Sequence, residues 1–515
     1  MSKTDSAPPS GGSGGLFSTS ERGIFRRTLP AAVPKSEHFT RSLGLLQLTM
    51  IGVGAIIGAG IFSLAGEVAK EKAGPAVVIS FLIAGAASLI AAFAYAEFSS
   101  LVPRAGSSYT YGAAVLGEFV GWLIGWDLLL EYTAIVAVVS IGVSGYANYV
   151  LEEIGLKLPD WAAASYFTNP DGGAVDLGAI VVCLLVGFLL SRGTKSSARV
   201  ETVLTMIKIG IVLIVAIVGV FFVDPKNLSD FMPFGFGGVL AGASTVFFAV
   251  FGYDALSTAA EESEDSRKVM PKAMMLSLGI CMVLYVIVAL VMCGMVIYTD
   301  LDSEAALAYA FQVHGLGWLG LVIAIGAVVG IVTVCFTFLM AAARLWYAMS
   351  RDGLMPKWFA KMHPKSKIPH RPTWVIAVLA AVLAGVAPIN LVAELVNIGV
   401  LAAFIVISLA VLVLRYRRPD LPREFKMPLM PVLPIIGVLF SLALIAQLPW
   451  ETFARFFGWM AIGLVVYAVY GYRRTRSVMP GGSIDIADIA ADDSVAATGM
   501  TRNELETEDD GGPAR

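Results

Sequence analysis

Long apolar runs recur along this chain and are separated by short polar segments. An α-helix needs about 20 apolar residues to cross the roughly 30 Å hydrocarbon core of a bilayer. Windows that meet this requirement lie at residues 46–66, 75–98, 119–148, 175–191, 200–223, 239–259, 272–297, 316–343, 373–389, 392–414, 432–449 and 456–472. Charged residues make up only 15% of the 515, against roughly 25% in a soluble domain. The sequence therefore predicts an all-α integral membrane protein with twelve transmembrane helices.

Lysine and arginine are distributed unevenly between alternate loops. Short loops rich in these residues stay on the cytoplasmic side of a membrane. With the N-terminus inside, the basic residues of the predicted inner segments are Arg22, Arg26, Arg27, Lys35, Arg41, Arg192, Lys195, Arg199, Lys357, Lys361, Lys365, Lys367, Arg371, Arg415, Arg417, Arg418, Arg423 and Lys426. Those of the predicted outer segments are Lys70, Lys72, Lys157, Lys226 and Arg455. We expect a multi-pass protein of the inner (plasma) membrane, surrounded by lipid, with both termini in the cytoplasm.

Composition divides the chain into three parts. Residues 1–40 combine Gly, Ser, Pro and charge without an apolar run, and residues 475–515 carry a cluster of acidic side chains. Segments of this kind cannot bury enough apolar surface to fold. We expect disordered cytoplasmic tails at both ends, the second of them acidic, around a twelve-helix domain at residues 41–474.

Residue usage disfavours several functional classes. The cysteines lie inside predicted helices and the histidines in tails or loops: Cys183, Cys281, Cys293, Cys335, His38, His314, His363 and His370. We therefore expect neither a disulfide framework nor a metal site, which needs a Cys/His cluster of suitable spacing. The net charge of −3 gives no nucleic-acid signal. No nucleophile constellation is present in the sequence, so we expect no enzymatic activity and no cofactor.

Glycine interrupts two of the apolar windows. In IGVGAIIGAGIFSLAG (51–66), Gly54 and Gly58 stand four residues apart, which is typical of a face that another helix approaches closely. The alternative is that Gly58, Ala59 and Gly60 break the helix and expose backbone groups near the middle of the membrane. FFAVFGYDALST (247–258) contains a second candidate break. Paired interruptions at matching positions indicate a transporter built from inverted repeats.

The predicted repeats are residues 46–223 and 239–414, with two further helices at 432–472. An odd number of helices per repeat, here five, inverts the second copy. The N–H groups at the start of a half-helix attract a carboxylate, and freed carbonyls attract an ammonium group. A site that offers both suits an α-amino acid. Phe248 and Phe251 could cover such a ligand or simply pack, and Asp254 could cap unwound backbone or touch the substrate.

Placing an ionisable side chain at the bilayer centre costs at least roughly 2.5–3.5 kcal/mol, so such a residue is expected to have a charged partner or a function. Lys208 lies about 10 Å into its helix at 1.5 Å per residue, which favours a buried, functional lysine. The alternative interpretation is that its side chain extends to the cytoplasmic interface. Asp127 and Glu131 share a helix face. We expect Glu131 and Lys208 to form a proton relay and Asp127 to be interfacial or capping. We expect Glu261 and Glu262 to be charges of a gate or of a loop anchor. We expect Glu394 to be exposed to water near the outer edge of the membrane.

Five segments in order resemble the bacterial relatives of the cationic amino acid transporter family, within the amino acid, polyamine and organocation superfamily. They are GVGAIIGAGIF (52–62), YAEFSSLVPRAGSSYTYGAAVLGEFVGWLIGWDLLLEY (95–132), FFAVFGYDALSTAAEE (247–262), RLWYAMSRDGLMP (344–356) and ELVNIGVLAAF (394–404). The likeness spans residues 38–475. It implies a LeuT-like fold of five plus five helices, with discontinuous helices 1 and 6.

The resemblance also implies roles for individual residues. The substrate carboxylate would bind backbone amides of Ala59 and Gly60, and the ammonium group would bind carbonyls near Ile56 and around Phe248 and Ala249. Lys208 matches the lysine that replaces a sodium site in proton-coupled members, and Glu131 matches a helix 3 glutamate. The candidate substrate-binding residues are Ile56, Ile57, Gly58, Ala59, Gly60, Phe248, Ala249, Phe251, Gly252 and Asp254, with Lys208 and Glu131 as proton-coupling candidates.

These observations together predict a secondary active transporter that imports L-amino acids, cationic or small and neutral, with protons by alternating access. Protons are the expected coupling ion, and no sodium site is expected. An exchanger of amino acids or amines would share every motif, and a sensor that binds without translocating would keep the site. The sequence does not say which amino acid is carried, and it neither indicates nor excludes a small membrane-protein subunit.

Overall fold

The computed structural model describes residues 43–472, apart from 102–106, 193–197, 258, 261–262, 302–304, 364–365, 367 and 422. The predicted tails therefore lie outside the described residues, as do Glu261 and Glu262. The α-helices are α1 (Leu45–Ile56), α2 (Ala65–Val68), α3 (Val77–Leu101), α4 (Ser107–Leu116), α5 (Glu118–Glu153), α6 (Asp160–Ala163), α7 (Leu177–Ser191), α8 (Ala198–Gly219), α9 (Gly235–Val246), α10 (Tyr253–Ser257), α11 (Ser266–Met295), α12 (Ala306–Val313), α13 (Gly317–Arg351), α14 (His370–Val386), α15 (Ile389–Arg417), α16 (Val432–Ile445) and α17 (Trp450–Val466).

Helical stretches long and apolar enough to cross a membrane account for eight segments of the described chain. They are Gly60–Leu101, Glu118–Glu153, Thr202–Phe222, Gly235–Ser257, Ser266–Met295, Gly317–Arg351, Ile389–Arg417 and Trp450–Gly471. Shorter apolar helices lie at Leu45–Ile56, Leu177–Ser191, His370–Val386 and Val432–Ile445. Each window predicted from the sequence overlaps one of these helices, and the first window, 46–66, runs from Leu45–Ile56 into Gly60–Leu101. The all-helical membrane class is therefore confirmed. The count of twelve membrane crossings stays a prediction, because only eight of the described helices are long and apolar enough to span a bilayer.

The first apolar window is interrupted where its glycines cluster. α1 ends at Ile56, and Ile57 has an extended backbone with φ −71° and ψ 101°. A π-helical segment at Gly60–Leu64 resumes the helix and leads into α2. The close-approach interpretation also holds one turn earlier, because a Cβ at Gly54 would lie 2.5 Å from Thr205 Oγ1 on α8.

The second interruption lies between α9 and α10. α9 ends at Val246 and is followed by a 3-10 turn at Phe247–Val250. Phe251 is extended, and Gly252 takes φ 138°, a conformation that L side chains rarely adopt. The helix therefore cannot continue through Gly252.

α5 is the central helix of the fold. Its most apolar stretch is entirely buried inside the protein, and it packs along α13, α15, α4 and α7. α11 packs along α3 and α1, and α1 also contacts α8. The interruption in α1 is thereby enclosed by protein on several sides, as non-helical backbone at membrane depth requires.

One end of the bundle is fastened by a buried carboxylate. Glu97, near the end of α3, forms ion pairs with Arg415 (2.5 Å) on α15 and Arg423 (3.1 Å) beyond it. It also accepts a hydrogen bond from the backbone N–H of Met427 at 2.8 Å. The side chains of Glu97 and Arg423 are 2% and 3% exposed. This cluster joins α3 to the end of α15 and to the segment that leads into α16.

Candidate functional site

The two interruptions lie directly against each other. A Cβ built on Gly60 would come within 2.3 Å of Ala249 Cβ and 2.5 Å of Ala249 Cα. A Cβ on Gly252 would meet the carbonyl carbon of Ala55 at 3.0 Å. Only glycine lets these backbones approach so closely. Each interrupted helix therefore forms one wall of the same site.

A small cavity opens at this crossing. It is lined by α1 and the first interruption, by the second interruption, and by one face each of α5 and α13. The lining residues are Ala55, Ile56, Gly58, Ala59, Ile135, Val139, Phe248, Phe251, Val334 and Phe338. All of these side chains are apolar. The lining is of the kind that packs against an aliphatic group, and it offers polar partners only through the backbone.

Half of the ten predicted substrate-binding residues line this cavity: Ile56, Gly58, Ala59, Phe248 and Phe251. Phe248 and Phe251 are 7% and 4% exposed, so their side chains cover the cavity from the second interruption. Gly60 and Ala249 touch each other beside it.

Three predicted residues stand behind the cavity. Ile57 directs its carbonyl oxygen to a lysine, and Gly252 faces the end of α1. The Asp254 carboxylate accepts a hydrogen bond from the hydroxyl of Tyr132 at 2.5 Å. A direct contact between these three residues and substrate stays a prediction.

The backbone at the first interruption presents both kinds of polar group. Ala59 and Gly60 stand where the helix resumes, and the first N–H groups of a helix have no intrahelical acceptor. On the other side, the last carbonyls of α1 need donors from elsewhere. Ile56 O accepts a hydrogen bond from the hydroxyl of Tyr285 on α11 at 2.8 Å. Sequence reasoning missed Tyr285, because a tyrosine within an apolar helix is indistinguishable from packing.

Lys208 fills the space behind the first interruption. Its side chain is completely buried, and its Nζ donates to Gly54 O at 2.7 Å and to Ile57 O at 3.2 Å. A Cβ on Gly330 would lie 2.7 Å from Lys208 Cγ, so α13 also closes on the lysine stem. The alternative that Lys208 reaches the cytoplasmic interface is wrong, because its ammonium group binds carbonyls inside the protein.

Glu131, the other residue of the predicted proton relay, lies on α5, and the relay stays a prediction. Glu131 is 1% exposed, and its carboxylate oxygens accept no hydrogen bond from the residues that the structure describes. Asp254 and Asp127 are ionisable groups in its neighbourhood. Asp127 is 4% exposed and faces Gly399 on α15. Asp127 lies in the first third of α5, and the interfacial or capping role expected for it stays a prediction.

Glu394 is buried, contrary to the expectation that it is exposed to water. It is 8% exposed rather than wet, because α15 packs it against two other elements. Its Oε2 accepts a hydrogen bond from Thr452 on α17 at 2.9 Å, and its Oε1 pairs with Lys72 Nζ at 3.6 Å. The same Lys72 Nζ donates to Thr245 Oγ1 at 3.0 Å. Glu394 thus links α15 to the segment after α2 and to the end of α9.

Apolar helices that enclose a cavity between two interrupted helices are typical of integral membrane transport proteins. Comparison with known proteins gives the particular family, since the amino acid permease family model matches residues 43–470. The chain belongs to the amino acid permease family, within the superfamily that its sequence motifs indicate.

Individual relatives agree with this assignment. The Bacillus subtilis methylthioribose transporter is 44% identical over 86% of this chain and 96% of its own length. The branched-chain amino acid permease BcaP of Bacillus subtilis is 43% identical over 88% of this chain and 98% of its own. Human cationic amino acid transporter 4 is 35% identical over 74% of this chain and 61% of its own. These relatives are transporters and not enzymes, which confirms the absence of enzymatic activity expected here.

Proposed function

We propose that this protein is a secondary active transporter that imports branched-chain and other neutral aliphatic L-amino acids. The observation that carries the proposal is the cavity at the two interruptions, because its side chains are all apolar. Backbone N–H groups at Ala59 and Gly60 would bind the substrate carboxylate. Carbonyls of the second interruption, around Phe248 and Ala249, would bind its ammonium group. The aliphatic side chain would then occupy the space between α5 and α13.

A cationic substrate fits this cavity less well. A guanidinium or ammonium group taken out of water needs a carboxylate or several hydrogen-bond acceptors. No carboxylate is among the lining residues, and Asp254 is turned to Tyr132. The name of the Bacillus BcaP relative points the same way, toward branched-chain substrates.

A methylthioribose-like substrate is disfavoured by the backbone chemistry. Such a thioether sugar has neither a carboxylate nor an ammonium group. Its hydroxyls could pair with the N–H groups and carbonyls of the interruptions only through neutral hydrogen bonds, and hydrogen bonds to charged groups are roughly twice as strong. An α-amino acid satisfies both sets of groups.

Proton coupling is the second part of the proposal. Lys208 binds two carbonyls at the first interruption, where its positive charge would take the place of a bound sodium ion. Loss of its proton would weaken both bonds, because hydrogen bonds from charged donors are roughly twice as strong as neutral ones. Glu131 would exchange protons with the cytoplasmic side. Two five-helix inverted repeats and cytoplasmic termini complete the proposed architecture.

Uptake into proteoliposomes tests the function. The vesicles carry an inward proton gradient without sodium, and the panel contains leucine, isoleucine, valine, alanine, arginine and methylthioribose. We expect accumulation of the aliphatic amino acids by the wild type and its loss in Lys208→Ala. Lys226→Ala, a substitution of an exposed loop lysine, is the matched control and should transport normally. Preferential uptake of arginine or of methylthioribose would refute the substrate assignment.

The same vesicles separate the alternative mechanisms. Uptake that requires preloaded amino acid and ignores the proton gradient would identify an exchanger. Leucine binding by purified protein without any flux would identify a sensor. Full gradient-driven uptake by Lys208→Ala would remove Lys208 from the coupling mechanism.

A further inference from the structure

Asn397 on α15 is a buried amide that the substrate site described above does not use. It has no solvent-exposed surface. Its Nδ2 donates two hydrogen bonds, to Ser244 O at 2.8 Å and to Thr245 O at 3.1 Å. Both carbonyls belong to the last turn of α9, which ends at Val246. The last four carbonyls of a helix have no intrahelical donor, so Asn397 caps the end of α9 from another helix.

The orientation of this amide follows from its surroundings. A flipped side chain would direct Oδ1 at two carbonyl oxygens, which have no hydrogen to donate. As placed, Oδ1 accepts no hydrogen bond from the described part of the chain. A buried acceptor without a donor destabilises the fold, and an apolar residue would avoid that penalty. Packing alone therefore does not account for an asparagine here.

The capped turn leads directly to the proposed ammonium-binding carbonyls. The 3-10 turn at Phe247–Val250 follows Val246 at once, and Ala249 touches Gly60 of the first interruption. A shift at the end of α9 would therefore move the second interruption relative to the first. The end of α9 must therefore stay in place if the two interruptions are to keep their relative positions.

A neighbouring residue of α15 supports the same turn. Glu394 lies three residues before Asn397 and shares its helix face. It pairs with Lys72, whose Nζ also binds the Thr245 side chain. Two residues of α15 therefore reach the last turn of α9, Asn397 directly and Glu394 through Lys72.

We propose that Asn397 is a positioning residue for the substrate site, which holds the second interruption in place through its two bonds to the end of α9. This inference rests on the proposed function only for its effect on substrate binding. The structural part concerns the ligand-free protein: without Asn397 the segment 246–252 opens more often. α15 thereby contributes to amino acid recognition without lining the cavity.

A pair of substitutions at position 397 separates hydrogen bonding from packing. Leucine has nearly the shape of asparagine but no donor, and alanine has neither the donor nor the volume. Asn390→Ala is the matched control, because Asn390 lies on the same helix and bonds Glu67 rather than α9. The first measurement is amide hydrogen exchange of residues 246–252 in the purified, ligand-free protein. One hydrogen bond is worth about a fivefold change in a local opening equilibrium.

We expect exchange to rise at least about fivefold in Asn397→Leu and in Asn397→Ala, with the control unchanged. For leucine transport, KM should rise in the same two variants, with kcat changing less. Equal exchange in Asn397→Ala and Asn390→Ala would overturn the proposal whatever the substrate is. Wild-type exchange in Asn397→Leu would also overturn it, because side-chain volume without hydrogen bonds would then be enough to hold the segment. If the wild type binds no leucine, the proposed function fails, and the exchange measurement alone decides the role of Asn397.

Discussion

Replacing Gly60 by alanine tests whether the contact between the two interruptions builds the binding site. The added Cβ would lie 2.3 Å from Ala249 Cβ and 2.5 Å from Ala249 Cα. Carbon atoms in ordinary contact are about 3.5–4.0 Å apart. The two backbones must therefore separate by about 1 Å, and the part of Ala249 that must move includes main chain, which cannot rotate away.

The expected loss of affinity follows from this displacement. Separation moves the N–H groups of the first interruption away from the carbonyls of the second, so one substrate molecule cannot keep all its hydrogen bonds to both. A hydrogen bond to a charged group is worth about 1.5–3 kcal/mol. Since 1.4 kcal/mol is a factor of ten in affinity, we expect Kd for leucine to rise about 10- to 100-fold in Gly60→Ala when one such bond is lost. Gly60→Leu should abolish binding while leaving membrane insertion intact.

Equilibrium binding of radiolabelled leucine to the purified protein measures this effect, and thermal unfolding in the same detergent monitors the fold. Gly279→Ala is the matched control, because a Cβ at Gly279 meets no atom within 4 Å. It should leave Kd unchanged. Wild-type affinity in Gly60→Ala would refute the reasoning, since the site could then not depend on the contact between Gly60 and Ala249.

Further substitutions probe the supports of the fold. Gly252→Ala puts a side chain at φ 138°, where residues other than glycine are strained by about 1–3 kcal/mol; we expect a lower Tm and reduced leucine uptake, and a wild-type Tm would contradict the strain. Glu97→Ala leaves Arg415 and Arg423 without their carboxylate, and breaking a buried pair costs about 3–5 kcal/mol. Its Tm should fall clearly in a thermal unfolding assay. Asp420→Ala removes an ion pair with Arg418 in which the Asp420 side chain is 60% exposed, and it should leave Tm unchanged.

The interruptions were predictable because their cause is local. Gly60 permits a close backbone approach and Gly252 a positive φ, and both requirements select glycine at specific positions. The buried position of Lys208 was also readable, since its distance from the helix start exceeds what a side chain can span. Each of these predictions depends on residues within one segment.

Contacts between distant segments were not predictable in this way. Glu394 meets Lys72 and Thr452, and its own helix contains no information about either partner. The helix faces that line the cavity could not be predicted from the sequence, for a different reason. α5 is apolar almost all round and fully buried at its centre, so periodicity cannot distinguish the face with Ile135 and Val139 from the others.

The two interruptions are held by different helices, and this has a consequence for coupling. Carbonyls of the first accept hydrogen bonds from Lys208 on α8 and Tyr285 on α11, while the end of α9 accepts them from Asn397 on α15. A change in the charge of Lys208 therefore acts first on the interruption proposed to bind the carboxylate. A movement of α15 acts first on the one proposed to bind the ammonium group. Because Gly60 and Ala249 touch, a displacement of either interruption is transmitted to the other, and an amino acid that bridges both is sensitive to each.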